Sequence, residues 1–132
     1  MATIQRPLAV MMQRVIQTIV PDATARDAAR QMRAARVGAL LVHDGNRFVG
    51  IVSEADLVRK ALAESSEVDQ VSVRSVMSAP LISIDIGSSA HDASDLMAEH
   101  GIRHLGVVED GEVVGMLSVR DLLRYFKNWG NR

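Results

Sequence analysis

A chain of 132 residues that is 48% apolar has enough hydrophobic material for one compact domain, or for two small units sharing a core. Fifteen Lys and Arg against 16 Asp and Glu leave a formal charge of −1, without the cationic surplus that a nucleic-acid partner demands. Cysteine is absent, which excludes disulfides, zinc–thiolate sites and cysteine nucleophiles.

Along the chain, Met1–Leu8 lacks the features of a signal peptide. No apolar run approaches the ~18 residues that cross a bilayer, so a cytoplasmic protein with no membrane partner is expected. Val15–Val20 is short and rich in β-branched residues, as a strand is. Thr24-Ala-Arg-Asp27 has the S/T-x-x-D form of a helix start, and Ala28, Met32 and Ala35 follow at helical spacing up to Arg36-Val37-Gly38. Ala39–Val42 and Phe48–Val52, separated by Asp44-Gly45-Asn46, form a hairpin. Ser53 then opens a closing helix, Glu54–Glu64, and the polar stretch Ser65–Ser72 reads as a linker.

The same grammar returns 65 residues later. Leu81–Ile86 is the strand, Ser89-Ala-His-Asp92 the helix start, and His100-Gly101 the stop. Leu105–Val108 and Val113–Leu117 flank Asp110-Gly111, and Val119–Trp129 closes the unit. Residues 12–59 lie over 77–124 without a gap, with 14 of 48 positions identical. The expected fold is α+β: two tandem β-α-β-β-α repeats, 1–65 and 66–132, packed sheet to sheet about a pseudo-twofold axis. Such packing forms two equivalent clefts, where small ligands settle.

The segments Gly50-Ile-Val-Ser-Glu-Ala-Asp-Leu57 and Gly115-Met-Leu-Ser-Val-Arg-Asp-Leu122 resemble the signature of the tandem cystathionine-β-synthase (CBS) domain pair, the Bateman module. Pro21-Asp-Ala-Thr24 with Asp27-Ala28, and Gly101-Ile-Arg-His-Leu105, are similar to further family positions. The likeness runs from about Val10 to Tyr125. Where family members often carry Pro after the Leu of the second strand, this chain has Leu41 and Gly106. The resemblance implies a regulatory sensor of adenosine-containing ligands: AMP, ADP or ATP, with S-adenosylmethionine or NAD as alternatives. It also implies a homodimer that signals in trans to an effector protein.

Carried over by residue, one cleft comprises Ser53 and Asp56 with Ile82, Ile102, Arg103 and His104. The other comprises Ser118 and Asp121 with Gln17, Val37, Gly38 and Ala39. Each aspartate suits a ribose diol, since a carboxylate accepts from two adjacent hydroxyls. Arg103 and His104 offer charge to phosphates, so the Ser53–Asp56 cleft is expected to bind the phosphorylated ligand more tightly. The same Ser-x-x-Asp pairs are also ordinary helix caps, and the two roles coexist. Gly50 and Gly115 fit either relief of crowding or close approach of a ligand. His43, His91 and His100 have no partner at metal-ligand spacing, and no catalytic set emerges. The competing reading is an adaptor or dimerisation module with empty clefts. Tyr125, Phe126 and Trp129, grouped near the end of the last helix, are the expected dimer contact.

Overall fold

Two copies of one strand–helix pattern build two three-stranded sheets in the computed structural model, which describes residues 7–130, with side chains through Lys127. A four-residue helix, α1 (Leu8–Met11), precedes the first copy. There β1 (Thr18–Ile19) runs parallel to β2 (Ala39–Asp44), with α2 (Ala25–Ala35) as the crossover, and β2 pairs antiparallel with β3 (Arg47–Ser53). The closing helix begins as α3 (Glu54–Asp56) and widens over Leu57–Leu62, where the Ala63 N–H reaches back five residues to the Val58 carbonyl.

The second copy opens with α4 (Val73–Val76) and continues as β4 (Ser83–Asp85), α5 (Ala90–His100), β5 (His104–Glu109), β6 (Glu112–Ser118) and α6 (Val119–Gly130). Its sheet has the same order and the same senses of pairing. The fold is mixed α+β, as expected.

The capping chemistry places the helices. Thr24 and Ser89 each accept from the backbone N–H three residues on, and Asp27 and Asp92 accept from the cap's own N–H, closing both capping boxes. Each helix ends on a left-handed residue: Arg36 (φ 56°) in the first copy, Gly101 (φ 63°) in the second. The first strands are shorter than the apolar runs Val15–Val20 and Leu81–Ile86, because only their centres pair fully with β2 and β5.

Each compact unit has its own core, and the units do not follow the division at residue 65. One unit is residues 16–81; the other joins residues 1–15 to 82–132. The first buries Ile19, Ala28, Met32, Leu40, Val42, Val52 and Leu57 together with Val73 and Val76 from α4. The second buries Ile84, Ala93, Met97, Leu105, Val107, Leu117 and Leu122 together with Leu8 and Met12 from the start of the chain. Each lead-in helix therefore packs on the sheet of the other repeat. Leu8 and Val73, 65 residues apart, are both fully buried.

The stretch read as a linker is part of the first unit. The Val71 carbonyl accepts from the Ala25 N–H, Thr24 bridges to Ser72, and Ser72 caps α4.

Candidate functional site

β3 and β6 each end on a serine whose backbone is still extended, and the helix that follows starts at the next residue. Ser53 accepts the Asp56 N–H at 3.2 Å, while the Asp56 carboxylate accepts the Ser53 N–H at 2.9 Å and its hydroxyl at 3.1 Å. The second copy repeats this: Ser118 accepts the Asp121 N–H at 3.2 Å, and Asp121 accepts from the Ser118 N–H at 2.8 Å and hydroxyl at 3.0 Å. Both carboxylates are buried, at 7% and 5% exposure, and they are the only buried charged groups among the described residues. Burial of a charge is expensive unless it is well bonded, and the N–H and hydroxyl of the cap serine supply that bonding here.

The free oxygens differ between the copies. Asp56 Oδ1 accepts the Ser78 hydroxyl at 3.0 Å and lies 3.0 Å from the Lys60 ammonium, which also donates to Ser78 Oγ at 3.3 Å. Among the described residues Asp121 Oδ1 accepts the Gln13 amide alone, at 3.2 Å. Sequence reasoning passed over Lys60, Ser78 and Gln13. The signals were present: Lys60 stands four residues after Asp56, and Gln13 and Ser78 occupy matching positions of the repeat.

The remaining expected site residues are held by the backbone ladders and cores of their own repeats. Ala39 pairs with Ser53 across the ladder, the Gly38 carbonyl accepts the Glu54 N–H at 3.0 Å, and the Gln17 carbonyl accepts the Leu41 N–H at 3.0 Å. Val37 packs against the core of that unit. In the other unit His104 pairs with Ser118, and the Arg103 carbonyl accepts the Val119 N–H at 2.8 Å. There the Ile82 carbonyl accepts the Gly106 N–H at 3.1 Å, and Ile102 packs on the core.

The hairpins cause this grouping, since a two-residue turn sets the start of the second strand against the end of the third. Arg103 and His104, which the resemblance assigns to the Ser53–Asp56 cleft, lie in the backbone ladder beside Ser118 and Val119.

Gly50 and Gly115 make room for backbone, not for a ligand. A Cβ on Gly50 would lie 2.6 Å from the Ser78 carbonyl oxygen, and one on Gly115 would lie 2.6 Å from Met12 Sδ and 3.0 Å from the Gln13 carbonyl oxygen. Those segments pair with the sheet edges: Ile51 exchanges two backbone hydrogen bonds with Ser78, and Met116 two with Gln13. The close approach of the lead-ins delivers Ser78 and Gln13 to the carboxylates.

Between α5 and α6 runs an apolar groove lined by Met97, Ala98, Ile102, Val119, Leu123 and Phe126. His91 stacks edge-on against Phe126, and Tyr125 is buried beside it. The Trp129 side chain lies outside the described residues. Among the described residues no three His, Asp or Glu side chains gather as a metal site, and no helix is long and apolar enough to cross a membrane.

The family model for the CBS domain matches this chain twice, over residues 8–63 and 73–128. The chain is 34% identical over 107 residues to the CBS domain-containing protein YhcV of Bacillus subtilis, covering 81% of this chain and 76% of that protein. It is 32% identical over 114 residues to an uncharacterised protein of Methanopyrus kandleri, covering 85% of this chain but only 58% of that one. Among solved structures, the hexameric CBS-CP12 protein of bloom-forming cyanobacteria superposes with a TM-score of 0.84 at 25% identity, covering 93% of this chain and 73% of the other.

Proposed function

Since the chain belongs to the CBS domain family, as a tandem pair of a kind that is generally regulatory, we propose that it senses an adenosine-containing small molecule and relays occupancy to a partner protein. One observation carries the reading: each repeat holds a buried carboxylate at a strand-to-helix junction, beside helix N–H groups. A ribose diol donates two adjacent hydroxyls to such a carboxylate, and a phosphate is drawn to the N-terminal end of a helix. The Arg103 backbone joins that of Val119 beside Ser118, and a guanidinium is the kind of cation that suits a phosphate. AMP, ADP and ATP are the favoured ligands, with S-adenosylmethionine and NAD as alternatives, and the cytoplasm is the expected place of action. A thermal-shift screen tests this, because a ligand that binds only the folded state raises the melting temperature by mass action. A flat response to all five compounds would favour an adaptor that binds none of them.

We also propose that the chain works as a homodimer. Val58 and Leu123, matching positions of the two repeats, are 56% and 64% exposed on the closing helices, and Leu62 is 63% exposed. Exposed aliphatic residues recurring on both repeats suit a self-complementary contact. The CBS-CP12 relative, a hexamer, shows that this fold supports self-association. Light scattering at micromolar concentration should return twice the chain mass, and Val58→Ser with Leu123→Ser should return the monomer. A monomeric wild-type chain excludes the dimer.

A further inference from the structure

The two Ser–Asp pairs are alike in their caps and unlike in what addresses their second oxygen. An ionised carboxylate offers about four acceptor positions. Asp56 has four donors: the Ser53 N–H and hydroxyl on Oδ2, the Ser78 hydroxyl and the Lys60 ammonium on Oδ1. Among the described residues Asp121 has three, with Gln13 on its Oδ1. The residue matching Lys60 is Tyr125, an uncharged side chain buried in the core of its unit.

A ligand diol brings two hydroxyl donors. At Asp121 it finds one unused acceptor position and has to displace one neutral amide. At Asp56 it has to displace both a hydroxyl and an ammonium before it can dock. Every bond to an ionised carboxylate is charge-assisted, but only the Lys60 contact pairs two opposite charges. Lys60 is 46% exposed, and its ammonium contacts Asp56 and Ser78, so it acts as a latch and not as part of the core.

Resting on the ligand reading above, we propose that Lys60 and Ser78 close the first repeat, so that the chain takes a nucleoside diol at Asp121 alone. The two repeats then have different duties: one is a ligand site, the other a self-satisfied junction. This reverses the order of affinity that the resemblance implied.

Titration calorimetry with adenosine tests the proposal, since an uncharged ligand removes any phosphate attraction to Lys60; 2′,3′-dideoxyadenosine is the control without a diol. The wild-type chain should bind one equivalent of adenosine and little of the control. Asp121→Asn should weaken binding by about tenfold or more, the loss expected with a charge-assisted bond. Lys60→Met combined with Ser78→Ala should add a second equivalent. Two equivalents in the wild type, undiminished binding in Asp121→Asn, or a single equivalent in the unlatched double variant would each overturn the proposal.

A ligand-free measurement keeps the latch separable from the ligand reading. Lys60→Met should lower the urea midpoint when Asp56 is present and leave it unmoved in an Asp56→Asn background. Equal shifts in both backgrounds overturn the latch whatever the calorimeter shows. If no variant binds any adenosine compound, the ligand reading falls and the site assignment with it, even where the urea cycle finds the latch intact.

Discussion

Gly50 and Gly115 occupy the same position of the repeat, yet a methyl group would meet different obstacles there. On Gly50 it meets a backbone carbonyl, Ser78 O at 2.6 Å, with Met77 Sδ and Ala79 Cβ close behind. On Gly115 the nearest atom is a methionine sulfur, which can swing aside, although the Gln13 carbonyl at 3.0 Å remains tight. Overpacking costs about 1–3 kcal/mol, and a fixed obstacle puts the cost at the upper end of that range. Gly50→Ala should therefore cost about 3 kcal/mol and Gly115→Ala about 1 kcal/mol, read from urea midpoints. Equal costs would mean that the two lead-ins yield equally. The sequence showed both glycines inside strands but not what approached them. That approach comes from segments 28 and 102 residues away in the chain, Ser78 and Gln13, and no local pattern reports it.

At the level of elements, the helix starts were the most legible feature, because a capping box is written in four consecutive residues. Thr24–Asp27 also has a titration signature. The Thr24 backbone N–H donates to the Asp27 carboxylate, helped by the Thr24 side chain, and holds its carboxyl below the ordinary value of 3.8. A depressed folded-state value means that the cap's contribution is complete above the unfolded value and lost as pH falls through the folded one. The stability difference between wild type and Asp27→Asn should accordingly be constant near neutrality and shrink below pH 3.8. A difference that stays constant into acid would show that the carboxylate charge plays no part in the cap.

The hairpins were equally plain from Gly45-Asn46 and Asp110-Gly111, the latter turning through two positive φ angles of 52° and 80°. Counting outward from those turns would have set Ala39 against Ser53 and His104 against Ser118. The four-residue helices α1 and α4 were not legible, since one turn is too short to display a period. The widened turn at Leu57–Leu62 was also missed. Its residues have ordinary helical spacing, and nothing in their order announces an i to i+5 bond.

For the whole molecule, the duplicated sequence declares two repeats, but compact structure is assembled by trading their leading segments. Leu8, fully buried, completes the core of residues 82–132 from the far end of the chain. Leu8→Ala should cost about 2–5 kcal/mol, as for any leucine in a close-packed interior. Amide exchange should then speed up at Met116 and Gln13, whose paired backbone bonds anchor the lead-in. A cost near zero would mean that the segment is a loose tail. The trade also gives the two units different histories on the ribosome. Residues 16–81 form an unbroken stretch, so that unit has every part it needs once Leu81 has emerged. The other must hold residues 7–15 in waiting until its last strand and helix have been made, closing over the whole of residues 16–81. Two units born of one duplicated sequence are in this way ordered in time, one early and local, the other late and long-range.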